Sequence, residues 1–164
     1  MPVTYKIHPD CNLICKTLSG NVTLAELTTL LPAVLADPDL RRGMDTFVSL
    51  EDVTDFDFGY RGMAQFCARV IGLNGTGPAT NRRAVYAPGD LAFGMARMYQ
   101  TLFNDTSSID VQVFRDLEGA CRHLGKPYAL CGPAPQNCQP GRTGLEHGLE
   151  YGLEHGLEPR RTAH

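Results

Sequence analysis

Four carboxylates fall within the run Glu51-Asp52-Val53-Thr54-Asp55-Phe56-Asp57, and carboxylates so crowded have two kinds of chemistry open to them. They can hold a divalent cation through one or two oxygens and several waters, or they can keep one proton between them. The run reads as an acidic loop just past a strand's carboxyl end, the edge where open α/β sheets place their ligands. A metal-dependent hydrolase built on Asp52, Asp55 and Asp57 is the sharpest form of that reading. The plainer form, a solvated loop with one residue capping the following helix, asks for less and is preferred.

His8, Cys11 and Cys15 are residue types that ligate zinc, yet no fourth ligand stands at a recognisable spacing and no Cys-x-x-Cys occurs among the six cysteines. Buried structural thiols are the better reading, and no metal is called for. Cys67 and Cys121 fall on apolar helical stripes and read as core, while Cys131 and Cys138 read as exposed and oxidisable. Arg82-Arg83 and Arg97 could hold an anion, although paired arginines at an element boundary are more often solvated. The one Gly-dense loop, Asn74-Gly75-Thr76-Gly77-Pro78, lacks the Lys-Ser/Thr pair of a phosphate loop. Tyr60, Met63 and Phe66, with Met95, Met98 and Tyr99, are placed to line an apolar pocket between two helices, or to fill a core.

The elements that must position these residues follow from periodicity and punctuation. Val3 to His8 alternates as a half-buried strand, Pro9-Asp10 turns the chain, and Asn12 to Leu18 returns as its antiparallel partner, bounded by Ser19-Gly20. Thr23-Leu24-Ala25-Glu26 fits a capping box, which starts a helix whose apolar face is Leu24, Leu27, Leu31, Val34 and Leu35. Pro32 should kink or restart that helix. Met44 to Leu50 reads as a buried strand. Tyr60, Met63, Phe66, Cys67, Val70 and Ile71 recur at helical spacing, and Ala84 to Ala87 reads as a short buried strand.

A helix with Leu91, Met95, Met98 and Leu102, and Ala92, Ala96, Tyr99 and Phe103 beside them, on a broad apolar face comes next, and Gly94 within it suggests the close approach of another backbone or a ligand. Asp110 to Phe114 is the last strand, followed by a short helix capped by Asp116 and closed by Gly125 and Pro127. Strands alternating with helices predict an α/β fold with a mixed, mostly parallel sheet of about five strands, an opening antiparallel hairpin and about four helices.

The chain of 164 residues is 43% hydrophobic, enough for one domain and too short for two full ones. Residues 1–130 form that domain. Residues 131–164 read as a Pro/Gly linker and a repeat of Gly-Leu-Glu units, Gly144 to Pro159, whose glycines cost about 1 kcal/mol each in a helix, so the tail is expected to be mostly disordered. A formal net charge of -3 and a pI of 5.9 argue against nucleic acid as a partner. No apolar run approaches a membrane span, and the absence of a signal-like start points to the cytoplasm.

Ala84-Val85-Tyr86-Ala87, Phe93-Gly94-Met95-Ala96-Arg97-Met98-Tyr99, Val113-Phe114-Arg115-Asp116 and Glu118-x-Ala120, in that order, resemble the SpoIIAA-like family. Ser19 to Thr23, Asp37-Pro38 and Ser49 to Asp55 extend the resemblance over about residues 3 to 126. It implies a single STAS-like domain, the fold of anti-sigma-factor antagonists, which is also compared with the lipid-carrying Sec14 domain. Antagonists are phosphorylated on a Ser after an Asp in the loop following the third strand. The place that looks equivalent here is Asp57-Phe58-Gly59, where Phe58 has no acceptor and Thr54 is the nearby substitute. A Trp-Leu common in the last helix of such domains is His123-Leu124 here.

The leading functional expectation is a non-enzymatic regulatory module acting through contact with a partner protein, its regulatory loop formed by Asp52, Thr54, Asp55, Asp57 and Phe58. The alternative is a carrier or sensor of a small apolar ligand or lipid, held by Tyr60, Met63, Phe66, Met95, Met98 and Tyr99, with transient membrane contact. Neither requires a cofactor, and both leave a homodimer open.

Overall fold

In a computed structural model, described here over residues 3–74, 81–107 and 109–131, the opening hairpin forms as expected. Strand β1 (Val3–His8) pairs antiparallel with β2 (Leu13–Val22), from Val3 opposite Leu18 to His8 opposite Leu13. Pro9 opens a single 3₁₀ turn, and Asn12 closes it at φ 50°, a left-handed conformation that Asn tolerates better than most residues.

Two features read as boundaries lie inside strands. Ser19-Gly20 does not end β2, because Gly20 at φ +65° absorbs a shift of register and the strand runs on to Val22. Its neighbour β3 (Asp45–Phe56) therefore continues as well, and the acidic run expected to be a loop is strand, with Asp52 opposite Ser19 and Asp55 opposite Asn21. Strand β4 (Arg82–Tyr86) pairs with β3 only over Thr46 to Ser49. The ends of β2 and β3 thus project beyond it as a two-stranded acidic ribbon.

Helix α1 (Leu24–Leu35) begins with the expected capping box: the Glu26 N–H donates to Thr23 Oγ1 at 3.2 Å and the Thr23 N–H to Glu26 Oε2 at 3.0 Å. The helix runs through Pro32 without restarting. Lying in the last turn, Pro32 forfeits one N–H, and its own carbonyl still accepts from Ala36 at 3.0 Å. Helix α2 (Tyr60–Asn74) precedes β4, α3 (Asp90–Asn104) precedes β5 (Asp110–Phe114), and α4 (Leu117–Leu124) runs from an Asp116 cap to Gly125 at φ +64°. A short α5 (Tyr128–Cys131), not foreseen, follows Pro127.

The five strands lie in the order β1-β2-β3-β4-β5, parallel from β2 onward. Successive crossovers lay α1, α2 and α3 on one face over a core that includes Leu18, Leu31, Leu50, Val85 and Phe103. The other face holds α4 and α5 over Leu13, Phe47, Ala84, Cys121 and Cys131. Cys131 is consequently buried at 4% exposure, because α5 folds its thiol against Cys121; Cys138 lies outside the described residues. Among the described residues no helix is long and apolar enough to cross a membrane.

The stripe that α3 buries lies within the broad apolar face expected of it, on its alanine and Phe103 side. Ala92, Ala96, Gln100 and Phe103 face the sheet, while Leu91 is 49% exposed. Gly94 points away from the core, and a Cβ there would meet nothing within 4 Å, so the expected close approach does not occur at that glycine. It occurs at Gly62, where a Cβ would lie 2.8 Å from the Cβ of Phe58.

Candidate ligand-binding site

The absence of a side chain at Gly62 lets Phe58 lie against the start of α2, where it meets Phe56 edge-on at a ring separation of 5.6 Å. These two rings close one end of a cavity between the sheet and its three helices, with about 80 Å³ open to the centres of water-sized molecules. That is room for several waters or for part of a ligand. Helix α1 lines it with Leu27, Leu30 and Leu31, α2 with Met63 and Phe66, and α3 with Met95, Ala96 and Tyr99.

Of the six residues expected to form an apolar pocket, Met63, Phe66, Met95 and Tyr99 come together on this cavity. Tyr60 is 61% exposed at the start of α2 and lies off it, and Met98 packs at the edge of the core without lining it.

The sheet supplies a floor that the sequence reading missed. Lys16 of β2 and Arg83 of β4 both reach the cavity, on either side of Thr46 and Val48 of β3. Arg83, expected to be solvated, is 7% exposed. Its Nη1 donates to Tyr99 Oη at 2.8 Å, its guanidinium carbon sits 4.8 Å from the Phe103 ring centroid, and its buried Nε has no hydrogen-bond partner. Burial pushes the Lys16 ammonium down to about 7, and Arg83 adds to the shift by repulsion. Burial raises Tyr99 against the pull of Arg83, and Cys67 on α2 is pushed up to about 11 by the same desolvation.

A signal for Lys16 was present. Ile14, Lys16 and Leu18 alternate on one face of a strand bonded on both edges, so a charge at the middle position must enter the interior. Arg83 was harder to see, since only the start of β4 at Arg82 fixes which of two adjacent arginines points inward.

The expected regulatory residues do not converge. Asp52, Thr54 and Asp55 are exposed along the ribbon, Asp55 accepting from the Phe56 N–H at 2.8 Å. Asp57 caps the preceding helix instead of the following one: its Oδ1 accepts from the Leu24 N–H of α1 at 3.1 Å. Phe58 alone of this group faces the cavity. Among the described residues no three His, Cys, Asp or Glu side chains gather as a metal ion would require. Of the remaining candidate anion binders, Arg82 pairs with Asp45 on the opposite face at 3.3 Å, and Arg97 donates to Gln100 Oε1 at 2.6 Å.

No protein-family model matches this chain, and no curated protein does. Among solved structures it is similar to an uncharacterized protein from the DUF3478 family with a SpoIIAA-like fold from Shewanella loihica PV-4. The two are 18% identical, the match covers 74% of this chain and 91% of that one, and the TM-score is 0.45.

Proposed function

We propose that this domain is a binding module that holds a small, largely apolar molecule between its sheet and helices. The observation that carries the reading is the cavity itself, bounded by α1, α2 and α3 and by Phe56 and Phe58. Interiors are normally packed with few voids larger than a water molecule, so a cavity of this size beneath three helices is unusual for a core that serves stability alone. The aromatic and Met side chains around it suit an adaptable apolar guest.

The test is titration with N-phenyl-1-naphthylamine, a neutral apolar fluorophore. Saturable binding at one site per chain, lost when Leu30→Trp fills the cavity while circular dichroism stays unchanged, is the expected result. Fluorescence that rises without saturation, or that Leu30→Trp leaves intact, would remove the reading.

Contact with a partner protein is the second reading, favoured by one observation: the acidic ribbon projects beyond β4 with Asp52, Thr54 and Asp55 exposed. A photo-crosslinker placed at Thr54 should capture one defined protein in cells that one placed at Glu118, on the opposite face, does not. Equal or absent capture at both positions would exclude it.

A further inference from the structure

The floor of the cavity carries charge that nothing in the described domain neutralises. Every ion pair among the described residues involves Arg82, Arg115, Arg122, His123 or Lys126; Lys16 and Arg83 make none. The nearest polar lining is the Thr46 hydroxyl and the Tyr99 phenol, and the rest is hydrocarbon, aromatic ring or thioether. A buried cation without a partner is costly, and proteins normally pair such charges or avoid them. Arg83 is such a cation, the partly buried Lys16 lines the same space, and the Nε of Arg83 is a buried donor left without an acceptor.

We infer that the ligand of this cavity is an amphipathic anion, an aliphatic chain ending in a carboxylate, with its head on Lys16, Arg83 and Tyr99 and its chain among Leu27, Leu30, Phe56, Phe58 and Phe66. This assignment rests on the apolar-ligand reading above and adds the chemical class of the guest. The Tyr99 oxygen already accepts from Arg83, which leaves its O–H free to donate. Lys16, the unsatisfied Nε of Arg83 and that phenol therefore supply donors of three kinds to one oxyanion. A carboxylate suits an Arg fork and a point-charge Lys, and charge-assisted hydrogen bonds are the strong ones. The helix-facing walls carry no charged side chain, so the remainder of the guest must be apolar.

Decanoate and decanol, which share a chain and differ in the head, separate this inference from the reading beneath it. With both titrated by calorimetry below their aggregation concentrations, decanoate should bind the wild-type domain at least tenfold more tightly than decanol. Lys16→Met and Arg83→Met should each weaken decanoate tenfold or more and leave decanol within about twofold, which is about 1.4 kcal/mol taken from the anion alone. Lys16→Met serves as the second variant should Arg83→Met fail to fold. Equal binding of the two compounds, or decanoate binding unmoved by Lys16→Met, would overturn the carboxylate assignment and leave the apolar cavity standing. Binding of neither would overturn both.

Discussion

The two faces of the sheet treat their cations in opposite ways. Under α4, Asp45 at 5% exposure stands between Arg82 at 3.3 Å and Lys126 at 3.7 Å. Both cations are also bonded to carbonyls, Arg82 to His123 at 2.8 Å and Leu124 at 3.0 Å, and Lys126 to Cys11 at 2.6 Å. Under α1, α2 and α3, Lys16 and Arg83 have a phenol, an aromatic ring and no carboxylate. Arg82 and Arg83 are adjacent in sequence, so the alternation of a strand alone sends one to a completed network and the other to an incomplete one. A complete network belongs to the fold. An incomplete one is a property the fold sustains at a cost, and it marks where a guest belongs.

Breaking the complete network should have the largest effect. Asp45→Ala removes the carboxylate shared by Arg82 and Lys126 along with the acceptor of the Arg82 N–H at 2.9 Å. It should cost about 2–3 kcal/mol, since Lys126 is left unpaired in a largely buried setting while water partly replaces the partner of the half-exposed Arg82. Urea unfolding at pH 7 measures it. A change below about 0.5 kcal/mol would mean that this face is no better neutralised than the other.

On the incomplete face the sign should reverse. Lys16→Met replaces an unpaired ammonium by a side chain of similar length without charge, and the empty protein should become more stable by about 1–2 kcal/mol at pH 7. Loss of stability would show that Lys16 has a neutralising partner and that the two faces are alike.

The same comparison can be sharpened with pH. Lys16 titrates at about 7 in the folded chain against an ordinary value of 10.5, so above pH 7 the unfolded chain binds more protons than the folded one. Stability of the empty protein should therefore rise from pH 7 to pH 8.5, by up to about 1.4 kcal/mol per unit, and Lys16→Met should flatten the rise. Above about pH 9 the thiols oppose it. Cys15 and Cys67 are raised to about 11 and Cys131 is also raised, so unfolding releases their protons and stability falls. Decanoate binding should run the other way and weaken above pH 7, where its uptake would require Lys16 to be reprotonated. Arg83 of β4 repels the Lys16 charge, and Tyr99 of α3 lines the same cavity with its phenol raised by burial.

How much of this was legible in the sequence depended on whether the signal was local. The hairpin, the capping box at Thr23, the Asp116 cap and the Gly125 stop are fixed by residues within a few positions of one another, and each stands where it was expected. The acidic run failed as a loop because its conformation is set by β2, which continues only because Gly20 can take a positive φ. Four pocket residues were legible because Met63, Phe66, Met95 and Tyr99 share helix faces with buried neighbours. The cationic floor was not, because Lys16 and Arg83 lie 67 positions apart and meet only when β2 and β4 flank β3.

The smallest expected effect asks whether the acidic ribbon serves as the missing counter-charge. Asp57 is the ribbon carboxylate nearest in sequence to the cavity-lining Phe58, but its oxygen is committed to the Leu24 N–H of α1 at 3.1 Å, beside the Thr23 cap. A carboxylate at a helix N-terminus contributes about 0.5–1 kcal/mol, here shared with a cap already in place. Asp57→Ala should accordingly lower stability by about that amount, and Asp52→Ala, on an exposed strand, by less than about 0.5 kcal/mol. Neither should alter the rise in stability between pH 7 and pH 8.5, because that rise belongs to Lys16 and to the lack of an anion beside it. If Asp57→Ala changed that slope, the ribbon would be the counter-ion of the cavity, the two faces would be equally neutralised, and the case for an anionic guest would pass from the ligand to the chain itself.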